Sequence, residues 1–254
     1  MREKPKTSRR DLLLGLGAIA VVSGGWQAWV HRPRAMTFEP IESLPGWRQT
    51  VFEGVTAPRG GLSATAAFAG IGSGAVELAT LSPDQLCRTL FSRQSDSLVP
   101  VAVFSDFFCP YCRTLTERLA GRAADPNSEI AINWHELPLL GPSSVIAARA
   151  AVAADLQRAY PEFQARMMGS TFRPTPNFLI RTATDAGLDP SKFVADMESQ
   201  VVDSRLSRTR NAAATLGIYG TPAMVVGRTL VIGEITDRNL DALIEMERNT
   251  PATC

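Results

Sequence analysis

Histidine and cysteine are scarce in this sequence, at two and four in 254 residues. Four cysteines are too few to staple a chain of this length as a disulfide-dense scaffold. The only histidines, His31 and His135, offer little to a metal centre. Excess charge of one sign is missing as well: 26 Lys and Arg stand against 25 Asp and Glu, so the net charge of +1 gives no reason to expect a nucleic-acid partner. There is no internal repeat and no low-complexity tract, so neither a repeat array nor a compositionally biased disordered segment is indicated. Apolar residues at 45% and charged ones at 20% give an ordinary globular composition and exclude a polytopic membrane protein. The length fits one large domain or two small ones, at roughly 100–200 residues each.

The balanced total hides a basic N-terminus. Residues 1–35 carry seven bases and two acids, which leaves −4 for the rest of the chain. A basic segment, 1–11, precedes 19 uncharged residues from Leu12 to Val30. As a helix these would reach about 28 Å, close to a bilayer core. Five bases in the first ten residues place the N-terminus in the cytoplasm and the body of the protein outside. Ser8-Arg9-Arg10-Asp11-Leu12-Leu13 is similar to a twin-arginine export signal, with Leu14 where that signal often has Lys. Small-x-small cleavage sites are poorly formed, and Trp26 and Trp29 sit near the far end, so residues 12–30 read as an uncleaved inner-membrane anchor rather than a cleaved signal.

Residues 31–74 read as a linker with little regular structure: four prolines up to Pro58, a short strand near Trp47–Phe52, and a Gly-dense stretch around a strand at Thr65–Ala69. An ordered domain is then expected over 75–254. Ser82-Pro83-Asp84 opens a helix through Phe91. Leu98–Phe104 is a continuous apolar run, as in a buried central strand, and it leads directly to Cys109. Cys109 caps a helix begun by Pro110 and ending at Gly121, and Glu129–His135 alternates as a second strand, so the unit is β-α-β. A helical block spans about 143–216. Ala223–Val226 and Thr229–Ile232 form a hairpin with a type II′ turn at Gly227-Arg228, and a closing helix follows with Asp237 as its cap.

Cys109-Pro110-Tyr111-Cys112 (CPYC) carries the chemistry. Two cysteines three apart at a helix start put the first sulfur beside unpaired N–H groups at the positive end of the helix dipole. That setting favours thiolate, which gives Cys109 nucleophilicity at neutral pH and good leaving-group character, while Cys112 lies one turn inside as the resolving thiol. A zinc site would need a second ligand pair, and the remaining Cys87, Cys254 and two histidines do not supply one, so no metal and no other cofactor is expected. Gly220-Thr221-Pro222 precedes a strand, where proline usually serves a geometric purpose, often a cis bond.

With these residues in view the chain resembles the DsbA-like thiol-disulfide oxidoreductases of the thioredoxin superfamily, over about residues 98–249. The matching runs are Val103–Cys112, Leu137–Ser144 with Ala147-Ala148-Arg149-Ala150, and Gly220-Thr221-Pro222-Ala223. The resemblance implies an α/β thioredoxin-like fold with an inserted helical domain, here about 143–216. It implies that Cys109 attacks or is attacked, that Cys112 resolves, and that Pro222 is cis and faces the pair. It further implies that Thr221 pairs its backbone with substrate, next to Pro110 and Tyr111. Many members carry an acid six residues before the first cysteine as a proton relay. Val103 stands there, and Asp106 is the candidate substitute, against the commoner role of a strand-end Asp as a cap. His135 reads as a structural histidine.

The expected function is an envelope thiol-disulfide oxidoreductase, periplasmic and tethered through residues 12–30, acting on reduced or misoxidised exported proteins together with a membrane redox partner. The alternatives are a reductase or isomerase with the same site kept reduced, a non-catalytic or chaperone module, and a copper-delivery protein holding Cu(I) on two thiolates. Cys87 and Cys254 either pair or stay inert. The terminal position of Cys254 favours the second outcome.

Overall fold

The computed structural model describes residues 36–52, 54–56, 78–91, 97–171 and 174–250. The expected anchor at 12–30, the basic segment 1–11, the strand at Thr65–Ala69 and Cys254 lie outside the described residues. Among those described, no helix is long and apolar enough to cross a membrane.

The elements run β1 (Glu39–Pro40), β2 (Arg48–Val51), α1 (Pro83–Leu90), β3 (Val99–Ser105), α2 (Pro110–Ala123), β4 (Ile130–Glu136), five helices α3 (Pro142–Leu156), α4 (Tyr160–Gly169), α5 (Pro176–Asp185), α6 (Pro190–Met197) and α7 (Gln200–Thr215), then β5 (Ala223–Val226), β6 (Thr229–Ile232) and α8 (Asp237–Arg248). The sheet order is β1-β2-β6-β5-β3-β4. β3 and β4 are parallel, as the β-α-β reading requires, and β5 joins β3 and β6 antiparallel. β3 is buried along its length apart from Pro100, as its unbroken apolar run predicts. This is the thioredoxin-like mixed sheet, with the helical block inserted between β4 and β5 at 142–215.

Proline and short polar side chains set the helix starts. Ser82 caps α1 in a reciprocal capping box with Gln85, and Pro142, Pro161, Pro176 and Pro190 all fall in the first turn of a helix. The Ala-rich α3 buries Ala147, Ala148, Ala150, Ala151, Ala153 and Ala154, so small side chains let it be enclosed on nearly every side. That core also holds Phe107, from the loop leading to the cysteines, together with Phe163, Phe193 and Leu206.

Four expectations need correction. The strand expected near Trp47–Phe52 is β2, but it is part of the main sheet rather than of a linker: it pairs in parallel with β6, and the compact unit begins at Thr37. Arg48 fixes it there, since its guanidinium reaches Glu247 Oε1 at 2.6 Å and Thr229 Oγ1 at 2.7 Å, a buried carboxylate that sequence patterning on α8 does not reveal. α2 runs two residues past Gly121, where an added Cβ would meet nothing within 4 Å, so that glycine marks no stop. The cap of α8 is Thr236, whose side chain accepts from Asn239 N, while Asp237 pairs with Arg118. Finally, Cys87 is disulfide-bonded rather than inert. At the hairpin, Gly227 takes φ +55 and Arg228 needs no positive φ, as a type II′ turn expects.

Candidate active site

β3 delivers the chain to a tight loop at 106–108 that Asp106 holds in place. Its Oδ1 accepts from Phe108 N and Ser144 Oγ, both at 2.8 Å, and its Oδ2 accepts from Leu139 N at 2.8 Å and Leu140 N at 3.1 Å. Four donors fill the acceptor sites of a carboxylate. Burial still raises its pKa, against these four hydrogen bonds. The carboxylate thus clamps the loop before Cys109 to the loop before α3, and no hydrogen bond links it to either sulfur among the described residues. These contacts are those of the cap, the commoner role of a strand-end Asp.

Cys109 takes the N-cap of α2 and its sulfur accepts from Cys112 N at 3.3 Å, while Pro110 fills the first turn, where its missing N–H costs nothing. Both thiols are free. The pair is strongly asymmetric. Cys109 is lowered from 9.0 to about 6: the Cys112 thiol beside it contributes most, burial opposes, and Thr56, Thr221 and the Cys112 N–H add to the lowering. Cys112 is pushed well above 9.0, first by burial and then by the hydrogen bond and charge of Cys109. One sulfur is therefore a thiolate at neutral pH and its neighbour a thiol.

The Thr221–Pro222 bond is cis, and the loop it forms lies over the sulfurs, with Cys109 Sγ 3.3 Å from Thr221 O. Pro110 and Tyr111 face outward, Tyr111 at 40% exposure. Beside Cys109 a depression of about 380 Å³ joins the active-site loop to the helical insertion, its apolar lining from Phe107, Phe108, Met167 and Phe178 mixed with the polar Arg113 and Ser170.

The expected substrate edge is not open. Thr56 N donates to Thr221 O at 2.7 Å, and Thr221 N donates to Thr56 O at 2.9 Å, a two-bond antiparallel bridge that uses the Thr221 backbone completely. The Thr56 hydroxyl also lies 3.4 Å from Cys109 Sγ. Cys109 is 1% exposed. Thr56 was invisible to motif reading because it sits 53 residues before the cysteine in an unpatterned, proline-containing stretch.

His135 is structural, as expected: its Nε2 lies 3.0 Å from Leu90 O, its ring stacks on Phe104 at 5.0 Å, and burial pulls its pKa down to about 4. The neighbouring Glu136 is a buried acid that sequence reading passed over. One oxygen accepts from the Tyr160 hydroxyl, the other has no partner among the described residues, and burial raises the pKa to about 8. The described residues bring no three His, Cys, Asp or Glu together as a metal-binding group.

Comparison with solved structures finds the same architecture. A thioredoxin-like oxidoreductase from Silicibacter pomeroyi is 30% identical, covering 64% of this chain and 98% of its own, with a TM-score of 0.59. A periplasmic thioredoxin-like protein from Salmonella enterica serovar Typhimurium is 21% identical, covering 67% and 99%, with a TM-score of 0.58. The thiol-disulfide exchange protein α-DsbA2 from Wolbachia pipientis is 18% identical, covering 64% and 92%, at 0.57. Among curated proteins, the Na(+)/H(+) antiporter NhaA of Herminiimonas arsenicoxydans is 27% identical over 158 residues, which is 62% of this chain but 25% of the antiporter. The chain thus spans about a quarter of that relative. The DSBA-like thioredoxin domain model matches residues 100–245, from β3 into α8 and including both cysteines and Pro222, and on that match the chain belongs to the DSBA-like thioredoxin domain family.

Proposed function

We propose that this thiol-disulfide oxidoreductase works in the bacterial envelope, passing a Cys109–Cys112 disulfide to reduced exported proteins. The observation that carries the reading is the split between the two thiols, about 6 for Cys109 and well above 9.0 for Cys112. A substrate thiolate attacks Cys109 Sγ of the disulfide and Cys112 leaves, taking up a proton. A second substrate thiolate then attacks the substrate sulfur of the mixed disulfide, and Cys109 leaves as a stabilised thiolate. A low leaving-group pKa speeds that release and favours the reduced pair, so the site accepts electrons readily.

Pro110, Tyr111 and the depression beside Cys109 offer contact area to an unfolded chain, and Pro222 holds the loop over the sulfurs. Re-oxidation falls to a membrane redox partner, and residues 12–30 would tether the domain on the periplasmic side. The same pair run in reverse would reduce or isomerise misoxidised proteins, and the thiolate stabilisation argues for the oxidising direction. The reduction potential of the pair tests this. A value nearer about −120 mV than about −270 mV, the ends of the superfamily's range, supports the oxidant, and the reverse supports the reductase.

A further inference from the structure

An exchange protein must let a foreign chain reach its reactive sulfur, yet Cys109 is 1% exposed and its flanking backbone edge is filled. The filling segment is held at both ends of a short path. Upstream, β2 is paired to β6 and Phe52 N donates to Ile232 O at 2.8 Å. The chain then turns at Gly54, with φ +85, so close to the site that an added Cβ would lie 3.2 Å from Glu234 Cβ and 3.5 Å from Tyr111 Cδ1. Two residues later Thr56 makes both backbone hydrogen bonds to Thr221 and sets its hydroxyl on the Cys109 sulfur. An extended peptide cannot pair with Thr221 while Thr56 does, because each backbone group there is already used. The backbone edge beside the sulfur is thus occupied by a segment of the same chain.

We propose that residues 54–56 are a built-in pseudosubstrate strand that closes the Cys109 site to extended cysteine-containing peptides until it is displaced. The proposal rests on the disulfide-exchange reading above. The strand discriminates among substrates, since a chain must compete for two backbone hydrogen bonds before its sulfur meets Cys109. Entry of peptide then costs the population of the closed state, and weakening closure raises the apparent rate in proportion.

The test uses the full chain and the rate of mixed-disulfide exchange between Cys109 and an extended peptide that carries a cysteine disulfide. Thr56→Pro removes the donor to Thr221 O. Gly54→Val opposes the same closure by a different route, through its left-handed φ and the contact with Glu234. Losing one such hydrogen bond changes an equilibrium by roughly two- to tenfold, and an acceleration of that size is expected in either folded variant. Occupancy is read separately in Thr56→Cys combined with Cys112→Ser, held in a glutathione buffer. The new thiol and Cys109 give two electrons and two protons to glutathione disulfide, forming one intramolecular S–S bond and two glutathione thiols. Mass spectrometry of the unreduced digest should show that bond.

Acceleration in either variant together with the cross-link supports the strand. No acceleration in both, or Cys109 found carrying glutathione in place of the cross-link, overturns it. If the unmodified protein exchanges with peptide while both variants match its rate, the oxidoreductase reading stands and the pseudosubstrate strand falls. If none of the three exchanges, the opened ones included, both fall.

Discussion

Cys109, just past the end of β3, and Glu136, closing the neighbouring β4, are almost equally sealed from water, at 1% and 3% exposure, but their pKa values move in opposite directions. Both lose solvation, which penalises the charged form of each. At Cys109 the loss is outweighed because the Cys112 thiol, the Thr56 hydroxyl and the Cys112 N–H converge on one sulfur, bringing it to about 6. At Glu136 only the Tyr160 hydroxyl answers among the described residues, so the carboxyl stays protonated up to about 8. Burial by itself neutralises a group. At Cys109 the converging donors outweigh that cost, whereas at Asp106 four donors oppose it without reversing it.

The comparison breaks most visibly at the sulfur. Cys109→Ser should reduce peptide disulfide exchange to background, whereas Cys112→Ser should accumulate mixed disulfides through Cys109, because the resolving attack is lost. Trapping through Cys112 instead would reverse the assignment.

A smaller effect, about 2 kcal/mol, belongs to Glu136. Its folded pKa of about 8 lies above the ordinary 4.5, so its stabilising contribution is complete below about 4.5 and drains away as pH rises to 8. His135, lowered from 6.5 to about 4, contributes fully above 6.5 and loses its contribution as pH falls toward 4. The two slopes cancel between about 4.5 and 6.5. Reduced Cys109, lowered from 9.0, adds stability with rising pH between about 6 and 9 and masks the Glu136 decline, so the measurement belongs in Cys109→Ser. There, unfolding stability should fall by about 2 kcal/mol from pH 6.5 to 8, and adding Glu136→Gln should flatten it. A profile unaffected by Glu136→Gln would mean that this carboxyl is ionised in the fold.

The smallest effect sharpens the comparison by removing one donor. Thr56→Val keeps the shape and both backbone bonds but deletes the hydroxyl beside Cys109. The Cys109 pKa should rise by roughly half to one unit, the worth of one hydrogen bond, as read from the pH dependence of its thiolate absorbance.

Much of this site could be read along the chain because its parts are local. Cys109-Pro110-Tyr111-Cys112 states its own helix start, the run before it is a buried strand by composition, and Thr221-Pro222 precedes a hairpin whose turn residues are explicit. What escaped reading depends on distant pairing. Thr56 reaches Thr221 across 165 positions by backbone atoms, which leave no side-chain signature. Glu136 occupies the strand position after His135, where alternation gives no hint that the end of β4 is covered by Tyr160 from the helical insertion. Asp106 could be suspected from its place before the motif. Its role as a clamp became visible only when Leu139, Leu140 and Ser144 were found around it.

The most direct measurement is a thiolate absorbance titration of the reduced protein, which needs no reagent to enter the closed site. One ionisation step is expected near pH 6 and should disappear in Cys109→Ser, with no second step until well above pH 9. A first step near pH 9, or a step near pH 6 that survives Cys109→Ser, would contradict this.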